Sequence, residues 1–333
     1  MGSSLRTILS LLSFFAMTAS AADTIRVCLW EGSHSPTSAT LSSYRDKYRG
    51  SVYLLNPNKG SFLIINKVEL EEYLYGVVGT EMGSKWPFEA LKAQAVCSRT
   101  LAVIKRNENS KKLPYDVKNS ILHQVYGSCE EDSVIRAVDE TRGEILTSQG
   151  APAAVFFHAA CGGMTSPAHE VWKGGEIPWL QSVADPYCVQ SPYSTWTRTF
   201  SRIKLQGLLD ISDIADIQVS ARDTAGRARE ITITRRTGKP VVLHGKDFRQ
   251  RINNNASPVA FQNPSVLPGT RFSLSRREND YLFTGSGYGH GVGLCQWGAH
   301  IMAENGMDYR AILAHFFPLL AGEELTTKEE YGD

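Results

Sequence analysis

The sequence predicts an α+β fold, because strand-like and helix-like stretches fall into separate runs instead of alternating. Three observations carry this. Residues 52–55 and 62–65 are apolar, β-prone and separated by Asn56-Pro-Asn-Lys-Gly60, which reads as a hairpin. Apolar residues then recur at helical spacing over 66–78 and again over 87–106. From Trp196 to Phe283 the texture changes to short strands joined by turns.

The elements follow in order. Residues 24–29 alternate and read as a strand, ahead of the 52–65 hairpin. In the first helical stretch Val68, Leu70, Tyr73, Leu74, Val77 and Val78 fall near one side, and Gly79 and Gly83 break it. Pro87, suited to a first helical turn, opens the second helix, whose inner positions are predicted at Phe88, Leu91, Ala95, Leu101 and Ala102. Residues 107–120 are polar and read as a surface loop, 133–141 as a short helix, and 145–146 and 155–157 as strands. Further on, 230–234 and 241–243 form a hairpin about Thr237-Gly-Lys239, 246–252 a helix, and 299–315 a final amphipathic helix. Residues 200–283 are thus expected as a β-rich subdomain within one unit spanning 22–320, with a central cleft and a polar tail at 321–333.

The first residues carry Arg6, an apolar run over 8–17 and the small-residue end Ala19-Ser-Ala21, the pattern of a secretory signal over 1–21. The run is short of the roughly 20 apolar residues that span a bilayer. The expected mature chain is therefore exported, to the periplasm or cell envelope, with no transmembrane segment. Lys and Arg number 35 against 34 Asp and Glu, a net charge of +1, so nothing global calls for nucleic acid or an acidic membrane as partner. A neutral or mildly charged polymer suits this balance better.

Candidate chemistry centres on Glu81, a lone carboxylate between Gly79 and Gly83 at a helix junction. Lys92 and Arg99, seven residues apart on the next helix, share a face; the plain alternative is a solvated helix stripe. His290 sits in a glycine-rich turn with Gln296 and Trp297 just beyond, where an indole face suits a sugar ring and an amide suits its hydroxyls. His158, at the end of an apolar strand, and Tyr126, in Gln124-Val-Tyr-Gly127, complete the predicted lining.

Four segments carry a family resemblance: GVVGTEMGSKWPFEALKAQAVCSRT over 76–100, FHAACGGMT over 157–165, GYGHGVGLCQWGA over 287–299 and YRAILAHFFP over 309–318. In this order they resemble the SpoIID / LytB family of sporulation proteins and amidase enhancers, over roughly residues 54–318. The resemblance implies a peptidoglycan lytic transglycosylase, cutting between N-acetylmuramic acid and N-acetylglucosamine in peptide-stripped strands with formation of a 1,6-anhydro ring. It implies Glu81 as the catalytic acid/base, with Lys92 and Arg99 in the cleft. The amidase-enhancer branch implies a rival: a non-catalytic glycan-binding module that stimulates a cell-wall amidase partner.

The six cysteines, in an exported chain, invite disulfides, and Cys161 with Cys188 is the expected pair. Cys161 and His158, with Cys188 or Cys295, also invite a metal reading, but the paired spacings of a structural zinc site are absent. Some family members bind zinc through a His/Cys cluster just before the Gln-Val-Tyr motif; residues 113–124 here contain no cysteine. No metal and no cofactor is therefore expected.

Overall fold

The computed structural model describes residues 23–120, 124–129, 131–254, 256 and 260–320. The signal at 1–21 and the tail at 321–333 lie outside them.

The chain begins with β1 (Thr24–Gly32), α1 (Ser38–Lys47), β2 (Ser51–Asn58) and β3 (Ser61–Glu69). A sheet of order β2-β3-β1-β4 results, with β1 antiparallel to β3 from Thr24↔Glu69 to Gly32↔Phe62. Ile25, Val27 and Ile64 are fully buried in the main core. The expected helix over 66–78 starts later, because residues 66–69 complete the ladder with β1. Leu70 N then donates to Asp23 O at 2.7 Å, and α2 (Leu70–Glu81) begins there. Gly79 does not end α2, which continues through it to Glu81. No sequence signal was read for α1, whose N-cap is Thr37.

The next helix, α3 (Phe88–Asn109), is the axis of the main core and packs against four others: α2, α4 (Asp132–Asp139), α8 (Gln296–Glu304) and α9 (Tyr309–Phe316). It is enclosed on all sides over its middle turns; Leu91, Ala95 and Ala102 are buried as predicted, while Phe88 and Leu101 are half-buried. Fully buried Leu91 and Val96 contribute about 2 kcal/mol each by burial alone. The polar 107–120 stretch is only partly loop: β4 (Val117–Lys118) adds parallel to β1, anchored by Arg26 on Asp116 at 2.7 Å.

Short pieces follow: β5 (Thr147–Ser148), β6 (Ala151–Pro152), β7 (Phe157–His158) and α5 (Ala168–Val171). The texture then changes as predicted. The strands β8 (Trp196–Ser201), β9 (Ile214–Arg222), β10 (Ala228–Arg235), β11 (Val241–His244), β12 (Phe272–Arg277) and β13 (Asp280–Gly285) form two antiparallel three-stranded sheets, β11-β10-β9 and β12-β13-β8. With α6 (Arg202–Leu209) and α7 (Gly245–Asn253) they enclose a second core that includes Phe200, Ile231, Phe248 and Phe283.

The chain returns to the main core through β14 (Leu294–Cys295), which pairs in parallel with β7, setting Cys295 beside His158. The predicted 299–315 helix is two helices. Gly306 takes φ +84° between them, and Asp308 caps α9 by accepting from Ala311 N at 2.7 Å. Among the described residues no helix is long and apolar enough to cross a membrane.

Candidate active site

Glu81 is the last residue of α2, not a turn residue. Two glycines one turn apart explain what sits against it. A Cβ on Gly76 would lie 2.1 Å from Gly127 O, and one on Gly79 would lie 2.5 Å from Cys129 Sγ. Without side chains there, residues 124–129 lie directly on α2. Val125 N then donates to Glu81 Oε1 at 3.0 Å. From the other side the Gln296 side chain, at the start of α8, donates to the same carboxylate.

Burial pushes the Glu81 carboxyl above its ordinary value, against the opposing effect of these two donors. Its place at the C-terminal end of α2 acts in the same direction as burial, since unpaired helix carbonyls disfavour negative charge there. No lysine or arginine among the described residues pairs with it. The net effect moves Glu81 toward its protonated form.

Behind Glu81 runs a buried amide chain. Gln296 Nε2 donates to Gln94 Oε1 at 3.3 Å, Gln94 Nε2 to Ser98 Oγ at 3.0 Å, Gln124 Nε2 to Ser98 O at 3.1 Å and Tyr73 Oη to Gln124 Oε1 at 3.0 Å. This chain fixes Gln296 and the 124–125 backbone. Gln94, Gln124 and the Val125 amide were missed from the sequence. The available signal was Gln94 itself, a polar residue among the alanines and valines of a helix enclosed on all sides.

Trp297, half-buried, is the next residue along α8. Its ring lies 5.3 Å from that of Trp86, 4.9 Å from His300 and 6.2 Å from Tyr193. Tyr193 in turn lies 5.3 Å from Tyr288 and 4.5 Å from Phe261. The result is a half-exposed aromatic strip that begins at Trp86, five residues beyond Glu81.

Lys92 and Arg99 do share a face, but it is turned toward α4. Lys92 bridges Glu89 at 3.1 Å and Glu140 at 2.9 Å and lies over the rings of Phe88 and Tyr309. Arg99 is 1% exposed; it holds Glu71 with Nε and Nη2, the latter at 2.7 Å, and donates to the carbonyls of Val138 and Glu144. With every one of those donors committed inside the core, Arg99 ties α2, α3 and α4 together and has no free edge for a ligand. Tyr126 is likewise buried, its hydroxyl donating to Asn66 Oδ1 at 2.9 Å and its ring against Tyr48 and Tyr73.

The two histidines form a separate group. Their rings are 5.4 Å apart; His158 Nδ1 faces Val292 O at 3.1 Å, and His290 Nδ1 accepts from Val292 N at 3.1 Å. Burial and nearby Arg227 push the His290 imidazole down to about 3, and burial with the His290 neighbour lowers His158 strongly, so both are neutral at pH 7. His290 borders a solvent-open pocket of about 370 Å³ whose other walls include Arg227, Arg229, Lys246 and Arg249. That pocket is not at Glu81, and the carboxylates Glu170 and Asp223 line it together with the basic groups.

All six cysteines are unpaired. Cys161 and Cys188 do come together, but Cys295 and Asp185 meet them at the same point, so the expected disulfide gives way to a four-residue cluster.

Comparison with known proteins gives the chain's family. The family model described as Stage II sporulation protein matches residues 58–148, the span that holds Glu81, α3 and Val125. A domain of unknown function (DUF8618) matches residues 190–293, which covers the second core. An uncharacterised protein of Brachyspira hyodysenteriae is 36% identical over 278 residues, 81% of this chain and 71% of the relative. Stage II sporulation protein D of Bacillus amyloliquefaciens is 31% identical over 273 residues, 76% of this chain and 74% of the relative. The amidase enhancer of Bacillus subtilis is 27% identical over 288 residues, 74% of this chain but only 39% of that longer protein. The chain belongs to the stage II sporulation protein D family.

Proposed function

We propose that this protein is an exported, cell-wall-directed lytic transglycosylase, with Glu81 as its single acid/base. The observation that carries this reading is the setting of Glu81: a carboxyl raised by burial, with no cation paired to it among the described residues, held by Val125 N and Gln296.

The chemistry needs one group acting twice. Protonated Glu81 gives its proton to the glycosidic oxygen as the bond from C1 of the muramyl residue breaks and the N-acetylglucosamine oxygen leaves as an alcohol. The carboxylate so formed takes the proton from the muramyl C6 hydroxyl as that oxygen closes on C1. The ring formed is 1,6-anhydro, no water is consumed, and the proton returns to Glu81. A hydrolase ordinarily uses two carboxylates; the groups that perturb Glu81 include no second carboxylate. Val125 N and Gln296 hold the carboxyl in place between its two roles. The aromatic strip from Trp86 through Trp297 to Tyr193 suits the apolar faces of successive sugar rings, and the net charge of +1 does not repel a strand that carries lactyl carboxylates.

A second reading follows from the relative named an amidase enhancer: the same cleft binds glycan and recruits an amidase without cutting. Product chemistry separates the two. The purified mature chain is incubated with peptide-stripped and with intact strands, and the ends are identified by mass spectrometry. Anhydro-muramyl ends on stripped strands support the transglycosylase. Reducing muramyl ends mean a hydrolase, and uncut but retained strands mean the binding module.

A further inference from the structure

We propose that Cys161, Cys188, Cys295 and Asp185 bind one zinc ion. The four ligand atoms lie within 4.8 Å of one another, and all four residues are buried. Tetrahedral zinc with Zn–S near 2.3 Å sets its sulfurs about 3.8 Å apart, so the cluster needs only a small contraction.

Three features favour a metal over a disulfide with a spare thiol. The first is the number of groups: a disulfide consumes two sulfurs and leaves Cys295 and a carboxylate without a reason to converge. The second is Asp185. It is 0% exposed and forms no ion pair among the described residues; Oδ1 accepts from Cys188 N at 3.0 Å, and Oδ2 faces Cys161 Sγ at 3.2 Å. A buried carboxylate aimed at thiols with no cation is costly, and a divalent ion removes that cost.

The third is the setting of the sulfurs. Each receives a backbone N–H: Cys161 from Gly163 at 3.2 Å, Cys188 from Gly162 at 3.4 Å, and Cys295 from Cys161 at 3.2 Å and Gly298 at 3.3 Å. Gly162 and Gly163 present these amides at φ +78° and +108°, and a Cβ on Gly298 would strike Asp185 Oδ2 at 2.3 Å. Cys295 also caps the N-terminus of α8. Amide donors and a helix N-terminus stabilise thiolates, the form that binds metal. Zinc displaces the three thiol protons on binding. The fully buried Arg227 donates through Nη2 to Cys161 O at 2.7 Å, and its Nε and Nη1 have no protein partner; it offsets the excess negative charge of a three-thiolate, one-carboxylate site.

The ion would join three segments far apart in sequence. Cys295 is followed by Gln296, so a metal there fixes the residue that reaches Glu81. This last role rests on the transglycosylase reading; the presence of the metal does not.

The test uses the full chain purified without chelator. Elemental analysis after dialysis is expected to give about one zinc per chain. Replacement by cobalt is expected to give the visible bands of a tetrahedral ion and a thiolate charge-transfer band. Cys295→Ser and Asp185→Ala are expected to cut retained zinc at least ~10-fold, the usual scale of losing one ligand's support. Should either variant fail to fold, the wild-type chain decides the matter through its cobalt spectrum and non-reducing peptide mapping. A disulfide between any two of the three cysteines, a wild-type chain that takes up neither zinc nor cobalt, or zinc unchanged in both variants overturns the proposal. Anhydro-muramyl product from a metal-loaded chain bears on the function alone, so the two readings fail separately.

Discussion

Arg99→Ala should destabilise the protein severely, although the family resemblance implies a place for this residue in a substrate cleft. The guanidinium is 1% exposed and meets Glu71 through Nε at 3.0 and 3.2 Å and through Nη2 at 2.7 Å. It also satisfies the carbonyls of Glu144 and Val138, both at 3.1 Å. Removing it leaves the Glu71 carboxylate, 8% exposed, with the 3.3 Å hydrogen bond from Gly143 N and the more distant charge of Arg142 among the described residues. Breaking one side of such a pair costs about 3–5 kcal/mol. At roughly 2–4 °C per kcal/mol for a chain of this size, the melting midpoint should fall by about 10 °C. Thermal and urea denaturation followed by circular dichroism measure it. The double variant Arg99→Met, Glu71→Leu should regain most of the loss, since apolar residues replace a buried pair at little cost. An Arg99→Ala protein with the wild-type midpoint and impaired glycan turnover would refute the structural role and give the guanidinium a role in substrate binding.

Three further outcomes follow from the site. Burial raises the folded-state proton affinity of Glu81 above its ordinary 4.5, so the native chain holds that proton more tightly than the unfolded chain. Stability from this group is therefore lost as pH rises from about 4.5 through the raised value; Glu81→Gln should be more stable than wild type at pH 7 and should lose that advantage below pH 4, as read by denaturant midpoints across pH. Gln296→Ala removes a donor that favours the carboxylate, so the alkaline limb of kcat/KM should move to higher pH; an unmoved limb means that Gln296 does not act through Glu81. Trp297→Ala should raise KM for stripped strands roughly tenfold, a loss of about 1.4 kcal/mol, with kcat less affected; an unchanged KM would remove the aromatic strip from the binding surface.

Much of this was legible from local pattern. The hairpin, α3 and the strand-rich 196–283 span each announce themselves through periodicity and turn residues. What escaped depends on partners distant in sequence. Residues 66–69 look helical by spacing but are strand, because the ladder to 24–27 outweighs local preference. Lys92 and Arg99 look like a solvated or ligand-facing stripe; α4, Glu71 and Glu140 cover them, and nothing in the 92–99 spacing reveals that cover. Likewise Asp185 carries no local mark, and single cysteines at 161, 188 and 295 lack the close spacing that signals a metal site. Cys161 and Cys295 meet because β14 lies parallel to β7, and the Met164↔Ala184 bridge brings residues 185–188 to them.

The central claim is that Glu81 moves the proton. Glu81→Gln keeps the shape of the side chain and its acceptor for Val125 N while removing its acidity. The decisive measurement is the rate of anhydro-muramyl end formation on peptide-stripped strands by wild type and by this variant, with strand retention measured alongside. The account predicts retained binding and a rate lowered at least ~100-fold, the low end for loss of a general acid. Anhydro-muramyl ends released by Glu81→Gln at near the wild-type rate would contradict it.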